Sequence, residues 1–187
     1  MNYTKNEFET HLRGWEKVLS EYRTPTWDEL PEIDLYMDQV IVLMNRYTDT
    51  LAYAPSDGAM AITPPMINNY VKLKVMPAPQ KKKYSKIHLA YLIMISSLKQ
   101  ALNIPTIQKI IPLLDSEEEI RRMYEIFASN QCKAFAYINE KIGAVANPII
   151  AAADANPDRM TDLALQIAVS ANILKVLTED IASVSHD

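Results

Sequence analysis

Thr63-Pro64-Pro65-Met66-Ile67-Asn68-Asn69-Tyr70-Val71-Lys72, followed shortly by Gln80-Lys81-Lys82-Lys83-Tyr84-Ser85, is the stretch on which the reading of this chain turns. Threonine can cap free helix amides, and proline in the first helical position lacks only an N–H that would have no partner, so a helix is predicted from Pro64. At 100° per residue Ile67, Tyr70 and Val71 share one side, and Asn68, Asn69 and Lys72 share the opposite one. Pro77 and Pro79 end this helix, and Gln80 to Tyr84 reads as a small extended connection or hairpin. Asparagine can pair with the adenine edge in a major groove, and lysine and tyrosine can hold phosphates. A preceding helix, from Leu35 to about Tyr47 with Asp34 as its cap, can brace the first, which is the order of a helix-turn-helix with a basic wing. The connection from Thr48 to Ile62 is longer than the three or four residues of a standard turn.

Charge is distributed to match. The net formal charge of −4 over 187 residues hides a central block, Gly58 to Leu114, with no acidic residue and eight lysines: Lys72, Lys74, Lys81, Lys82, Lys83, Lys86, Lys99 and Lys109. Residues 1–57 carry five basic and eleven acidic groups, and residues 115–187 carry six and twelve. A solvated surface usually interleaves its signs, whereas a block of one sign points to a polyanion.

Outward from this block the chain reads as all-α. It has three glycines, and its apolar residues recur at three and four. Phe8, Leu12, Trp15, Leu19 and Tyr22 make one stripe, ended by Thr24-Pro25. Ser85 can cap a helix from Lys86 to about Leu102, which is nearly all apolar and so is expected to be the most buried element. A short helix runs from about Pro105 to Ile111. Ser116 with Glu119 forms a capping box opening a long helix to about Ala146, before Asn147-Pro148. Asn156-Pro157 opens the last helix, where Met160, Leu163, Ile167, Ser170, Leu174, Leu177, Ile181 and Val184 form a heptad seam. This seam either closes an intramolecular hairpin against residues 117–146 or joins two copies of the chain. The expected division is an N-terminal helix and winged region over residues 1–115 and a C-terminal helical hairpin or dimerisation region over residues 116–187.

Other chemistry is thinly represented. Cys132 is the sole cysteine, which excludes an intrachain disulfide and a multi-cysteine zinc site, and three scattered histidines offer no metal set. Gly14, Gly58 and Gly143 are too far apart to cradle a phosphate, so no nucleotide cofactor is expected. Asp34 with Asp38, and Asp158 with Asp162, place carboxylates at helix starts, where the amide dipoles alone favour them. His88 in an apolar helix reads as a satisfied core or edge histidine rather than a ligand or base. No nucleophile, base and activator come together, so the chain reads as no enzyme. The apolar runs between charges are short, such as the twelve residues Ile87 to Leu98 and the twelve from Ile142 to Ala153, and fall short of the ~20 residues of a membrane span. The N-terminus lacks a secretory signal, so a cytoplasmic location is expected.

Leu35-Tyr36-Met37-Asp38-Gln39-Val40, Met66-Ile67-Asn68-Asn69-Tyr70-Val71-Lys72, Pro77-Ala78-Pro79 and Lys83-Tyr84-Ser85 together resemble a bacterial family, the domain of unknown function 1836. In the order of its parts the same region, roughly residues 30–114, is similar to the MerR-type winged helix of transcription regulators. That likeness implies a helix-turn-helix with a small β-wing. In it Tyr70 corresponds to the tyrosine of the recognition helix, Lys82 to the wing's basic residue and Tyr84 to its closing tyrosine. Asn68 stands where MerR-type proteins usually carry arginine.

The expectation is therefore a transcription regulator that reads double-stranded DNA, with Asn68 and Asn69 toward base edges. Tyr70, Lys72, Lys74, Lys81, Lys82, Lys83, Tyr84 and Lys86 would position phosphates, and a homodimer could form through residues 117–185. The alternatives are a protein-interaction module that has lost DNA binding and a small-molecule sensor with a pocket lined by Met123, Phe127, Tyr137, Leu163 and Ile167.

Overall fold

The computed structural model describes residues 5–49, 62–152 and 158–184. The described part is helical: α1 (Lys5–Glu21), a 3-10 turn (Trp27–Glu29), α2 (Met37–Asp49), α3 (Pro64–Lys72), α4 (Lys86–Leu98), α5 (Ile104–Ile110), α6 (Glu117–Ala152) and α7 (Asp158–Val184).

The architecture is set by α4. Its residues His88 to Ile95 are all buried. A helix apolar on every side must be covered on every side, and here α2 and α6 pack directly against it. Around it gather Val40 and Met44 of α2, Ile67 and Tyr70 of α3, Ile107 of α5, and Ile120 and Tyr124 of α6. The buried cluster thus begins at Trp27 and ends at Tyr124. Buried tyrosine hydroxyls stitch its irregular parts. Tyr91 donates to the Pro112 carbonyl and accepts from the Leu114 amide, both at 3.0 Å. Tyr124 donates to the Pro25 carbonyl at 2.7 Å, with its ring edge-on to Trp27 at 5.9 Å. Outside this cluster α1 lies along α6, where Tyr22 stacks on Phe135 at 4.4 Å.

Several boundaries differ from those the sequence suggests. Residues Leu35 and Tyr36 precede α2, because Leu35 exchanges two backbone hydrogen bonds with Tyr84 (2.9 and 2.8 Å). The Tyr36 amide is capped by Gln39 instead of Asp34. α6 continues through Pro148 to Ala152, although a proline inside a helix removes one backbone bond and costs about 3 kcal/mol. The expected β-wing has no strand among the described residues. It is reduced to the single bridge Gln80–Lys83 and the bridge Leu35–Tyr84. The hairpin cannot lengthen, since Ser85 already caps α4 on one side and Ala78, between two prolines, turns its carbonyl to His88 on the other. The turn Pro55 to Gly58, most of the Thr48 to Ile62 connection, the Asn156-Pro157 start, and the side chains of Phe8 and Met160 lie outside the described residues. The end of that connection is anchored, with Ile62 buried and its amide donating to Asn45 Oδ1 at 3.2 Å.

α7 touches α5 and α6. Of its described side chains, Leu163 and Ala182 are buried, whereas Ile167, Leu174, Leu177, Ile181 and Val184 are at least half exposed. The contacts of α7 with α5 and α6 therefore leave most of the described seam open.

No described helix is long and apolar enough to cross a membrane.

His88 is a core histidine with two structural partners. Its Nδ1 accepts from the Ser85 amide at 3.0 Å, so the proton sits on Nε2, which faces the Ala78 carbonyl at 3.2 Å. Burial lowers its pKa below the ordinary 6.5, against the opposing pull of the Ala78 carbonyl and Asp34. The unfolded chain therefore takes up this proton at a higher pH than the fold does. The stability contribution is complete above about pH 6.5 and falls as the pH drops below it. Thermal melts at pH 7.5 and 5.5 should show a lower melting temperature at the acid pH. His88→Gln, which can still accept from the cap amide, should flatten that dependence.

Candidate nucleic-acid interface

α3 presents two chemically distinct faces. Ile67 and Tyr70 are buried, with Met66 and Val71 half-buried beside them, and this anchors the helix on the core. Asn68, Asn69 and Lys72 are exposed together on the opposite side. The helix opens at Thr63 with Pro64 in its first turn and with no side-chain capping bond.

The end of α3 is closed by a Schellman motif. The Lys74 amide donates to the Val71 carbonyl at 3.0 Å and the Val75 amide to the Tyr70 carbonyl at 2.9 Å. This geometry needs a left-handed residue after the cap, usually glycine. Here Lys74 fills it at φ 55°. Gln108 Nε2 donates to the Leu73 carbonyl at 2.7 Å and ties α5 to the same helix end.

The tight turn after Pro79 repeats the pattern. Gln80 and Lys83 exchange backbone bonds of 3.1 and 2.8 Å around Lys81 and Lys82, whose φ angles are 49° and 64°. Two central residues with positive φ are the mark of a type I′ turn, which asparagine-glycine fills most easily. Among the described residues these three lysines are the non-glycine residues with positive φ. A side chain in the left-handed region costs about 1–2 kcal/mol relative to the right-handed one. All three are exposed.

Around these lysines aromatic faces hold further cations. Lys83 Nζ lies 5.6 Å from the centre of the exposed Tyr36 ring, and Lys99 Nζ lies 5.7 Å from that of Tyr70. Lys99 and Tyr36 are not among the nucleic-acid contacts expected from the sequence. Contacts from α4 to α3, and from the segment before α2 to the turn, exist only in the tertiary structure.

Three expected phosphate contacts are placed elsewhere. Tyr70 and Tyr84 are buried, 2% and 3% exposed, because the core beneath α3 and the turn needs their rings. Tyr84 meets the His88 ring edge-on at 5.5 Å. The Tyr70 hydroxyl is buried without a hydrogen-bond partner among the described residues. Lys86 has an almost covered side chain, paired with Glu32 and 5.5 Å from the Trp27 ring centre. The exposed set is thus Asn68, Asn69, Lys72, Lys74, Lys81 and Lys82, with Lys83 half-buried.

The other expected sites do not assemble. Met123 and Phe127 pack on the central core, whereas Tyr137 and Ile167 are 59% and 50% exposed, so the side chains proposed to line a sensor pocket are divided between core and solvent. Among the described residues no group of three or more His, Cys, Asp or Glu side chains could hold a metal ion.

Residues 25–127, more than half of the chain, match the family described as a domain of unknown function (DUF1836), and the protein belongs to that family. The match begins just before Trp27 and ends just after Tyr124, so it spans the packed core and the lysine-bearing turns. No curated protein and no solved structure matches the chain.

Two outcomes follow for stability. Lys74→Gly and Lys82→Gly should each raise it by roughly 0.5–1 kcal/mol in denaturant titrations, the relief of left-handed strain exceeding the entropy that glycine adds to the unfolded chain. Tyr70→Phe, which removes a buried hydroxyl with no partner, should leave stability unchanged or higher. A loss above about 1 kcal/mol in either case would contradict these geometries.

Proposed function

We propose that this DUF1836 protein binds double-stranded DNA as a regulator of transcription, with α2 and α3 acting as a helix-turn-helix of MerR-like order and the Gln80–Lys83 turn as a shortened wing. The observation that carries this reading is the placement of lysine at three backbone positions that favour glycine, all within the block that lacks acidic residues. Positive charge is kept there against a conformational cost, and strain of this kind is characteristic of functional sites. Asn68 and Asn69 are offered to base edges, where asparagine can form a bidentate pair with adenine. Lys72, Lys74, Lys81, Lys82 and Lys83 are offered to phosphates, which fix position without reading sequence. A dimer would present two such faces to the duplex.

A groove beside α2 favours a second reading, a protein-interaction module. It is shallow and open to solvent, about 380 Å³ between Pro31, Ile33, Leu35, Val42 and Leu43, with Asp38 and Arg46 among the residues that line it. Ile33 and Val42 are 70% and 58% exposed there, which is the chemistry of a docking surface for another protein.

Fluorescence anisotropy with mixed-sequence duplex DNA at about 50 and 200 mM salt separates the two readings. Neutralising five phosphates per protomer gives a slope of about −4.5 in log affinity against log salt. Lys81→Glu/Lys82→Glu/Lys83→Glu should abolish binding, and Lys82→Gly should weaken it while stabilising the fold. Wild-type protein that stays folded but unbound at the lower salt would exclude the DNA reading.

A further inference from the structure

The described side chains of α7 leave an unusually large apolar surface uncovered. At 100° per residue its large aliphatic residues run from Leu165 and Val176, through Ile173 and Leu177, to Leu174 and Ile167, an arc of roughly 200°. All of them are 50% exposed or more. From Leu163 to Leu174 the helix carries no charged residue. Ser170 within this stretch and Thr178 just after it donate their hydroxyls to the helix's own Gln166 and Leu174 carbonyls, both at 2.8 Å. The face can therefore be dehydrated without stranding these polar groups.

We infer that α7 is the interface between two copies of this chain, each burying the arc of its α7 against the α6–α7 pair of the other. Three observations select a second copy as the occupant. The exposed large aliphatic residues of α7 present on the order of 1,000 Å², above the ~800 Å² that one partner contributes to a standard stable interface and far more apolar than a transient one. An arc of this breadth is wider than one helix can cover, and a second α6–α7 pair supplies two helices at once. The α6 of that pair brings apolar side chains of its own, Ile126, Tyr137 and Ile138, each at least 40% exposed. Between Leu163 and Leu174 the face carries no charge with which to select an acidic or basic peptide, Asp162 and Asp180 standing before and after that stretch, and an apolar face set against its own copy is what a two-fold interface requires. This inference stands on α7 and is independent of the DNA reading.

Light scattering on the full chain at tens of micromolar, without DNA, should give about twice the monomer mass of 21.2 kDa. Ile173→Glu/Leu177→Glu places charge only on side chains exposed in one copy, and it should return the mass to that of a monomer with the helical signal retained. Lys81→Glu/Lys82→Glu/Lys83→Glu should remain dimeric even where it loses DNA, so the two proposals fail separately. Amide exchange of the wild type gives a readout that does not depend on how a variant folds. Exchange over residues 163–177 should be slow at high concentration and faster on dilution. A wild-type monomer, a dimer that survives the double substitution, or exchange over α7 that ignores concentration would each overturn the inference.

Discussion

Everything in the central unit answers to the burial of α4. Eight consecutive buried residues require neighbours on every side, and the chain provides them from elements far apart in sequence: α2 and α3 before it, α5 and the first turns of α6 after it. Fully burying a large aliphatic side chain is worth about 1.5–3 kcal/mol, so covering this helix outweighs the local preferences of the segments recruited to do it. Tyr70 and Tyr84 illustrate the point. Each lies in a stretch rich in charge, yet each ring is drawn into the core, and the lysines beside them are left at the surface.

The same constraint explains why the basic block is arranged as it is. With α3 and the Gln80–Lys83 turn pinned from below by buried rings, the backbone between them has little freedom. The Schellman end of α3 and the two-residue turn are the tight solutions available, and both demand positive φ. The chain fills those positions with lysine, although glycine or asparagine would relieve the strain. Lys86 is the counterexample that sharpens the pattern. It belongs to the same basic run, but its position at the start of α4 brings it to Glu32 and Trp27, and its charge is used within the fold.

The long C-terminal helices obey a different rule. α6 packs on α1 and α4 and still leaves Ile126, Tyr137 and Ile138 exposed, while α7 meets α5 and α6 with most of its large aliphatic side chains in water. An apolar helix with so little cover within its own chain is a surface that water leaves readily once another such surface is offered. The central unit and the open helix are thus complementary in kind, one closed upon itself and the other incomplete.

The sequence by itself determined the helical character of the chain, the positions of most helices, the central place of α4, the serine at its cap and the two faces of α3. Each of these depends on spacing and capping within a few residues, which primary structure carries directly. Membership of the family was legible in the same way, from a contiguous string around Met66 to Lys72. What the tertiary structure decided was the fate of side chains whose local pattern is neutral. A tyrosine at the end of a basic run can lie on either side of the chain, and only packing against His88 and α4 put Tyr84 inside. A lysine's φ is not written in its neighbours, and only the closure of α3 and of the turn made Lys74, Lys81 and Lys82 left-handed. The heptad seam of α7 was plain in the sequence, but its lack of cover could be seen only in the folded chain, because burial is a property of the whole set of contacts and not of any one segment.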